Sequence, residues 1–316
     1  MGSVYHYCSL DTFYKVISNK CIRLSDLNKT NDYMEKRWIS KILYTALKEE
    51  LKECGITINL AENYWYSEGI NSHLQYLEDT MNEFIYTSSP TLITCFSKKP
   101  DKLSQWRAYG DDGFGVSIGF DYDKLKQLKN INDNLFIKEL IYKETKQITE
   151  LRRLIRSSIT HMRSIFKFDK LKKTNNFNEY FIDEFDSFCE VLIYKEIECM
   201  SCYIKNPAFI EEEEVRIIYI PGLYVEMEDN DLQNCFNEKI SVGKYSLDSL
   251  KYYCRDKQLV AYSDLCFERL VPENIINEIV LGPKSKLMKE DIFYYLFSHG
   301  YNARDIIINK SNATYR

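Results

Sequence analysis

The sequence predicts an α+β fold in which a mixed sheet core carries two helical insertions. Stretches of strand length occur near both ends and in the middle of the chain, and two longer stretches with helical periodicity lie between them. The elements do not alternate regularly between strand and helix, as they would in a doubly wound parallel sheet. Although 316 residues exceed the usual ~100–200 of one domain, no stretch has the composition of a linker. We therefore expect residues 1–316 to form a single domain.

The first thirty residues predict a strand, a helix and a second strand. Apolar residues alternate in VYHYC (4–8) and again in IRLS (22–25), the pattern of a half-buried strand. Between them, Ser9 can cap a helix that has one apolar face. A polar turn is expected at 28–32, where asparagine and aspartate cluster.

Two blocks with apolar residues at helical spacing predict the insertions. The helices are expected at 34–54, 73–86, 147–173 and 179–203. The first pair forms an insertion at about 34–88, and the second pair forms one at about 145–203.

The remaining elements complete the sheet. TLITCFS (91–97) and FGVSIGF (114–120) are predicted to be antiparallel neighbours. Further strands are expected at 135–142, 214–221, 276–283 and 304–310. LMKEDIFYYLFSHG predicts a helix that ends with Gly300 in the C′ position.

Composition excludes several classes of protein. The net charge of -5 combines 47 acidic with 42 basic side chains, so the chain as a whole does not attract nucleic acid or an anionic membrane. We expect a cytoplasmic protein without a membrane partner, because the N-terminus lacks a signal pattern and no apolar run is long enough to span a bilayer. The ten cysteines are expected to be reduced and mostly buried. Cys199 and Cys202 form a CxxC without a matching second pair, so no metal is predicted.

Polar and aromatic residues where the predicted strands end are the candidates for a functional site. No glycine fingerprint for nucleotides, nucleophile elbow or zinc-protease motif is present. The candidate site residues are His6, Tyr7, Ser25, Asn28, Trp106, Arg107, Tyr109, Glu214 and Arg216. Residues of these types are most often structural, with their polar groups hydrogen-bonded inside the protein.

Four segments resemble successive signatures of a bacterial family known as domain of unknown function 2971. They are YHYCSLDTFYKVISNKCIRLSDLNKTND, TCFSKKPDKLSQWRAYGDDGFGVSIGFD, KNPAFIEEEEVRIIY and INEIVLGPK. More distantly, the arrangement is similar to the His–Tyr–Glu branch of the ADP-ribosyltransferase fold. Members of that branch place a His on the first core strand, a Ser or Tyr on the second and a Glu on a late strand, around a cleft that binds NAD.

The resemblance assigns His6 to the first of these positions, Ser25 or a neighbour to the second and Glu214 to the third. No Tyr ends the second strand here, so Tyr7, Trp106 or Tyr109 would have to stack on the nicotinamide. Cleavage of the nicotinamide–ribose bond passes through an oxocarbenium-like transition state. A nearby carboxylate can stabilise its positive charge and can activate a hydroxyl nucleophile.

Glu214, His6 and Arg107 are the predicted catalytic residues, and the two arginines Arg107 and Arg216 could bind the pyrophosphate. We expect His6, Ser25, Arg107 and Glu214 to converge on one concave site. The resemblance thus implies an NAD-consuming transferase or glycohydrolase in bacterial stress, toxin action or anti-phage defence. NAD would be a substrate, with no tightly bound cofactor, and the acceptor of ADP-ribose would be a nucleic acid or a protein.

Other interpretations remain open. Arg107 and Arg216 could neutralise Glu212 and Glu214 in a buried ion-pair network, within a non-catalytic regulatory module that binds a nucleotide or a partner. A nuclease or another enzyme acting on nucleic acid is a further alternative. The basic helix at 151–173 contains Arg152, Arg153 and Arg156. It is either a solvated amphipathic helix or a surface that contacts phosphates.

Overall fold

The computed structural model describes residues 2–29, 36–58, 63–66, 69–72, 76–77, 79–80, 90–130, 134–169, 173–221 and 236–315. The chain divides into two compact units. The first unit combines Met1–Thr30, Ser89–Leu140 and Phe209–Arg316, and the second combines Asn31–Ser88 and Ile141–Ala208. The two segments of the second unit contain the ranges predicted as helical insertions. Helices and mainly antiparallel strands together make the fold α+β.

The first unit contains one large sheet. Its strands are β1 (Ser3–Cys8), β2 (Cys21–Asp26), β5 (Leu92–Ser97), β6 (Val116–Asp121), β7 (Leu135–Glu139), β8 (Glu214–Tyr219), β9 (Ile240–Val242), β10 (Tyr245–Leu247), β11 (Lys251–Arg255), β12 (Gln258–Cys266), β13 (Ile276–Leu281) and β14 (Ile307–Lys310). A separate antiparallel pair in the second unit is formed by β3 (Asn63–Tyr66) and β4 (Gly69–Ser72).

The helices pack on the sheet in the first unit and form most of the second unit. Those of the first unit are α1 (Leu10–Asn19), α3 (Leu103–Ala108), α4 (Tyr122–Lys126) and α9 (Lys289–Ser298). Those of the second unit are α2 (Trp38–Glu53), α5 (Glu144–Phe168), α6 (Phe177–Asp183), α7 (Phe185–Val191) and α8 (Glu198–Ser201). None of the described helices combines the length and the apolar character needed to cross a bilayer.

The strand order corrects one predicted pairing. The main path of the sheet is β14-β13-β6-β1-β5-β2-β12-β10-β9, with β8 on β5, β7 on β8 and β11 on β12. TLITCFS and FGVSIGF, now β5 and β6, are therefore not neighbours, because β1 lies between them and pairs with both. Their apolar runs identify buried strands, but such runs carry no information about which strand lies alongside.

The N-terminal strand–helix–strand unit forms as predicted. The Thr12 backbone N–H donates to Ser9 Oγ over 3.2 Å, which caps α1. Lys20 ends the helix in the left-handed region, with φ of 52°. At the other end of the chain, Gly300 follows α9 with φ of 83°, and the Tyr301 N–H reaches back to the Leu296 carbonyl. The predicted C′ glycine is thereby confirmed.

The helical predictions for the second unit hold in part. The helices predicted at 34–54 and 147–173 correspond to α2 (Trp38–Glu53) and α5 (Glu144–Phe168), whereas the one predicted at 179–203 is broken into α6, α7, a π-helical turn at Leu192–Ile197 and α8. The helix predicted at 73–86 lies largely outside the described residues, as does most of the turn predicted at 28–32. Leu47, Ile155 and Phe181 are among the buried side chains that form the core of this unit.

The strands β9 to β12 were not predicted from the sequence. The longest of them, β12, lies in the middle of the sheet and pairs with β2 on one edge and with β10 and β11 on the other. Its sequence QLVAYSDLC contains few of the strong β-formers that made the other strands visible. Its position depends on its partners more than on its own propensity.

The prediction that all ten cysteines are reduced is wrong for two of them, one of which lies on the unpredicted strand β12. Cys21 on β2 and Cys266 on β12 are register partners and form a disulfide, so these two are not reduced. Cys8, Cys189 and Cys202 are thiols and are buried as expected, but the thiol of Cys254 is exposed on β11. The remaining thiols of the described residues, those of Cys54, Cys95 and Cys199, are half-buried. Cys235 lies outside the described residues.

Candidate active site

The sheet splits beside β5. One edge of β5 pairs with β8 from Leu92 to Ser97. The other edge pairs with β1 only at Ser97, and with β2 only at Leu92 and Ile93. Because β1 and β2 share one edge of the same strand, they diverge from each other, and the middle of that edge has no strand beside it.

His6 of β1 occupies this opening. Its Nδ1 lies 3.0 Å from the carbonyl oxygen of Cys95, in the middle of that edge. A carbonyl can only accept, so Nδ1 carries the proton and Nε2 is left as an acceptor. Burial lowers the pKa of His6, and the bond to Cys95 only partly opposes this. The imidazole is therefore neutral near pH 7.

On the other edge of β5, Glu214 and Arg216 of β8 form a buried ion pair. They lie opposite Ser97 and Cys95 respectively, and all four side chains share one face of the sheet. Arg216 Nε donates to Glu214 Oε1 over 2.7 Å and Nη2 donates to Oε2 over 3.1 Å. Their side chains are 2% and 6% exposed. The bidentate contact fixes the orientation of the carboxylate.

The chain enters β8 through an unusual backbone conformation. Glu213 has φ of 45°, in the left-handed region that residues other than glycine rarely adopt. Its carbonyl accepts from the Lys98 N–H over 3.0 Å, and its carboxylate lies 3.9 Å from Lys102 Nζ. Just before it, Glu212 accepts a hydrogen bond of 3.2 Å from the Tyr109 hydroxyl. Strained backbone held by its surroundings is typical of functional sites.

Helix α3 and β1 supply the aromatic side of the site. Tyr7 packs edge-on against Trp106, with ring centroids 4.7 Å apart. The Tyr7 hydroxyl donates to the Lys99 carbonyl and accepts from the Lys102 N–H, each over 2.9 Å. Burial raises the pKa of Tyr7. Trp106 is fully buried and donates from Nε1 to Asp101 over 2.7 Å. It therefore supports Tyr7 from the interior of the protein.

These elements enclose a small pocket that we call the split-sheet pocket. It is lined by Tyr5, His6, Tyr7, Cys95, Phe96, Ser97, Gln105, Tyr109, Glu212 and Glu214. Its cavity volume is about 70 Å³, well below the roughly 300–1,000 Å³ of sites that enclose a whole ligand. It is therefore too small to enclose a whole dinucleotide. Two carboxylates, a neutral imidazole and three tyrosines meet here.

His6 also borders a second, larger cavity of about 380 Å³ beside α1. The cationic side chains lining it are Lys15 and Arg23. Lys15 pairs with Asp11 over 2.8 Å, and Arg23 pairs with Asp264 over 3.0 Å. The positive charges of this cavity are thus matched by carboxylates of the same unit.

Two of the four residues that were predicted to converge do not line the split-sheet pocket. His6 and Glu214 border the split-sheet pocket, but Ser25 is paired with Ile93 at the far end of β5 from Ser97. Four residues along a strand span about 13 Å, which separates Ser25 from Glu214. Arg107 is exposed, with its guanidinium 5.9 Å from the ring of Tyr315. Spacing along the sequence could not show that β2 pairs with one end of β5 while β1 pairs with the other end.

Other predicted site residues have separate surroundings. Asn28 is exposed, and its backbone N–H donates to Asp26 Oδ1 in a turn after β2. Arg216 was predicted to bind the pyrophosphate. It is instead buried and paired with Glu214, and it does not line the split-sheet pocket. The competing hypothesis of a buried ion-pair network is therefore right for Arg216 and Glu214, while the exposed Arg107 takes no part in that pair.

The arginines of the predicted nucleic-acid surface lie on α5 in the second unit. Arg152 pairs with Glu49, Glu50 and Glu53 of α2, and Arg156 pairs with Glu50 and Glu53. Arg153 contacts Glu150 over 2.9 Å. The positive charges of these arginines are thus balanced by carboxylates of the same unit.

Several pocket residues, among them Gln105, Glu212 and Ser97, were not predicted. Gln105 lies four residues before the predicted Tyr109, across the end of α3, and both line the pocket. Glu212 and Glu214 are two residues apart, a spacing that favours one side of an extended chain. These spacings are visible in the sequence, but the contribution of Ser97 depends on strand pairing. No cluster of three or more metal-ligating side chains occurs in the described part of the chain.

Comparison with known proteins gives one match. Residues 105–217 match the model of a family described as protein of unknown function (DUF2971). The match covers just over a third of the chain, from Gln105 through β6 and β7 to the ion pair of β8. It supports the resemblance to that family over this segment. No curated protein and no solved structure matches the chain significantly.

Proposed function

We propose that the chain is an NAD-consuming enzyme of the ADP-ribosyltransferase type, a transferase or NAD glycohydrolase, with the split-sheet pocket as its active site. The observation that carries the proposal is the carboxylate of Glu214, held by Arg216 at the edge of a pocket that also contains the neutral His6. His6 lies on the first strand and Glu214 on a late strand, the places that the resemblance to that fold assigns to the two catalytic groups.

The geometry supports different roles for Arg216 and Glu214. Arg216 uses one lone pair on each oxygen of Glu214, out of about four lone-pair sites that a carboxylate offers. A fixed carboxylate beside the ribose stabilises the positive charge that develops at C1′ as the bond to nicotinamide breaks. The bond electrons leave with the nicotinamide nitrogen. A water or acceptor hydroxyl then attacks C1′, and Glu214 accepts its proton.

The other lining residues would bind and orient the substrate. The unprotonated Nε2 of His6 can accept a hydrogen bond from a ribose hydroxyl. Tyr109 offers an exposed ring on the same side as Glu212. Arg107, on the helix that carries Gln105, is an exposed cation suited to the diphosphate, which remains outside the small pocket.

Product analysis tests the proposal. The full chain is incubated with NAD labelled in the nicotinamide ring, alone and with DNA, RNA or cell-lysate protein, and released nicotinamide is separated by chromatography. We expect nicotinamide together with an equal amount of ADP-ribose, either free or attached to an acceptor. Binding of NAD without release would favour a regulatory module instead. Neither binding nor release would overturn the proposal.

A further inference from the structure

The second unit contains a cavity of its own, of about 460 Å³. This volume falls within the roughly 300–1,000 Å³ of sites that enclose small organic molecules. It is formed by one face of α5, by α6 and α7, and by the π-helical turn that follows α7. Since every lining residue belongs to the second unit, an inference about it does not rest on the function proposed for the split-sheet pocket.

The floor and one wall of this cavity are apolar. Phe188 is 3% exposed and belongs to the core of the unit, and Met162 packs against that core. Ile165 lies three residues after Met162 on the same face of α5 and is 45% exposed. An apolar ligand seated on Phe188 and Met162 would remove the exposed surface of Ile165 from water, which is favourable in proportion to the area covered.

The rim carries negative charge. Glu184 and Glu196 both line the cavity, and the carboxylate of neither forms an ion pair or a hydrogen bond with another described residue. Tyr180 stands between the apolar and the charged parts, and burial followed by the charges of Glu184 and Asp169 raises the pKa of its hydroxyl. An aromatic ring beside two unpaired carboxylates is a favourable environment for a cation.

We propose that this cavity binds a small organic cation with an apolar body, namely an alkyl or arylalkyl amine. Its ammonium group lies between Glu184 and Glu196, beside the ring of Tyr180. Its hydrocarbon part covers Phe188, Met162 and Ile165. A ligand that lacks the charge loses the first set of contacts but keeps the second.

Titration of the full chain with 2-phenylethylamine and with the neutral 2-phenylethanol tests the proposal, because the two probes have nearly the same size and shape. Binding is followed by calorimetry or by chemical shifts. We expect the amine to bind about tenfold more tightly than the alcohol. Glu184→Gln and Glu196→Gln should each weaken amine binding about twofold to fivefold and leave alcohol binding unchanged, as expected for partly exposed ion pairs.

Two further variants complete the design. Asp183→Asn removes an exposed carboxylate next to Glu184 that does not line the cavity, and it should leave both affinities unchanged. Ser157→Trp places a large side chain at an exposed lining position, and it should abolish binding of both probes. Equal affinity for amine and alcohol, or an amine affinity that the two Gln variants leave unaltered, would overturn the proposal, as would the absence of binding.

Discussion

Glu214 and Arg216 are both buried, so a change at Glu214 affects stability as well as any chemistry. Glu214→Gln removes the counter-charge that Glu214 supplies to the guanidinium of Arg216, which is 1% exposed as a residue. We predict a loss of about 3–5 kcal/mol in the free energy of unfolding, the usual cost of removing one partner of a buried pair. Urea denaturation measures it.

The control is Glu212→Gln, because Glu212 is partly exposed and bonds to an exposed tyrosine. It should change the free energy of unfolding by less than about 1 kcal/mol. Equal losses for the Glu212 and Glu214 variants would contradict the assignment of the ion pair.

His6 makes the stability of the first unit depend on pH. Its pKa is lowered by burial below the ordinary 6.5, so the unfolded chain binds a proton in a range where the folded chain does not. The stability due to the neutral ring is full above pH 6.5 and is lost as the pH falls through the folded pKa. We therefore predict that the free energy of unfolding falls more steeply between pH 7.5 and 5 in the native chain than in His6→Gln.

Glutamine suits this comparison because its amide can still donate to the Cys95 carbonyl but does not titrate. Identical pH profiles for the two proteins would show that His6 is not held neutral by its surroundings.

At the level of single residues, the sequence located part of the pocket. His6 and Glu214 were identifiable because they are polar residues at the borders of apolar strands. The pair Glu214–Arg216 was foreseeable as one possibility, since residues two apart on a strand share a face. Ser25 and Glu214 are offset by about 13 Å along β5. This offset follows from the split of the sheet at β5, which no local sequence pattern encodes.

Among the helices, α2 and α5 are joined by a buried carboxylate. The side chain of Glu50 is 0% exposed and accepts from Arg152 Nε and Arg156 Nη2, each over 3.1 Å. Burial alone would raise the pKa of Glu50, but the bonds from Arg156 and Arg152 outweigh it and hold the pKa below 4.5. The stability that this group contributes is thus present above pH 4.5 and is lost as the pH falls through the folded pKa.

We predict that Glu50→Gln lowers the free energy of unfolding at pH 7 by about 1–3 kcal/mol, because it breaks hydrogen bonds to charged groups that are themselves partly exposed. Glu49→Gln is the matched control on the same helix, since its carboxylate is 49% exposed; its effect should stay within about 0.5 kcal/mol. A Glu50 variant as stable as the native chain would refute the coupling of the two helices.

The elements that the sequence predicted are those with strong local signals, and those that it missed depend on partners. The cap at Ser9 and the glycine at position 300 fixed two helix ends before any tertiary contact was known. In contrast, β12 owes its place to pairing with β2 and β10. The Cys21–Cys266 disulfide was missed for the same reason.

For the whole molecule, the central claim is that the split-sheet pocket cleaves NAD through Glu214. Both sides of the pocket belong to the first unit, although its segments come from residues 1–30, 89–140 and 209–316. The family match covers residues 105–217 and does not reach His6, so NAD cleavage has to be tested on the chemistry of the assembled pocket.

The most direct test is the initial rate of nicotinamide release from NAD by the native chain, Glu214→Gln and Glu211→Gln, measured at a temperature where circular dichroism shows all three folded. Glu211 is an exposed carboxylate beside the site that does not line the pocket, so its variant should retain the native rate. Glu214→Gln should be slower by about a hundredfold to a thousandfold, as expected when one preorganised electrostatic group is removed. A folded Glu214→Gln protein that releases nicotinamide at the native rate would contradict the account.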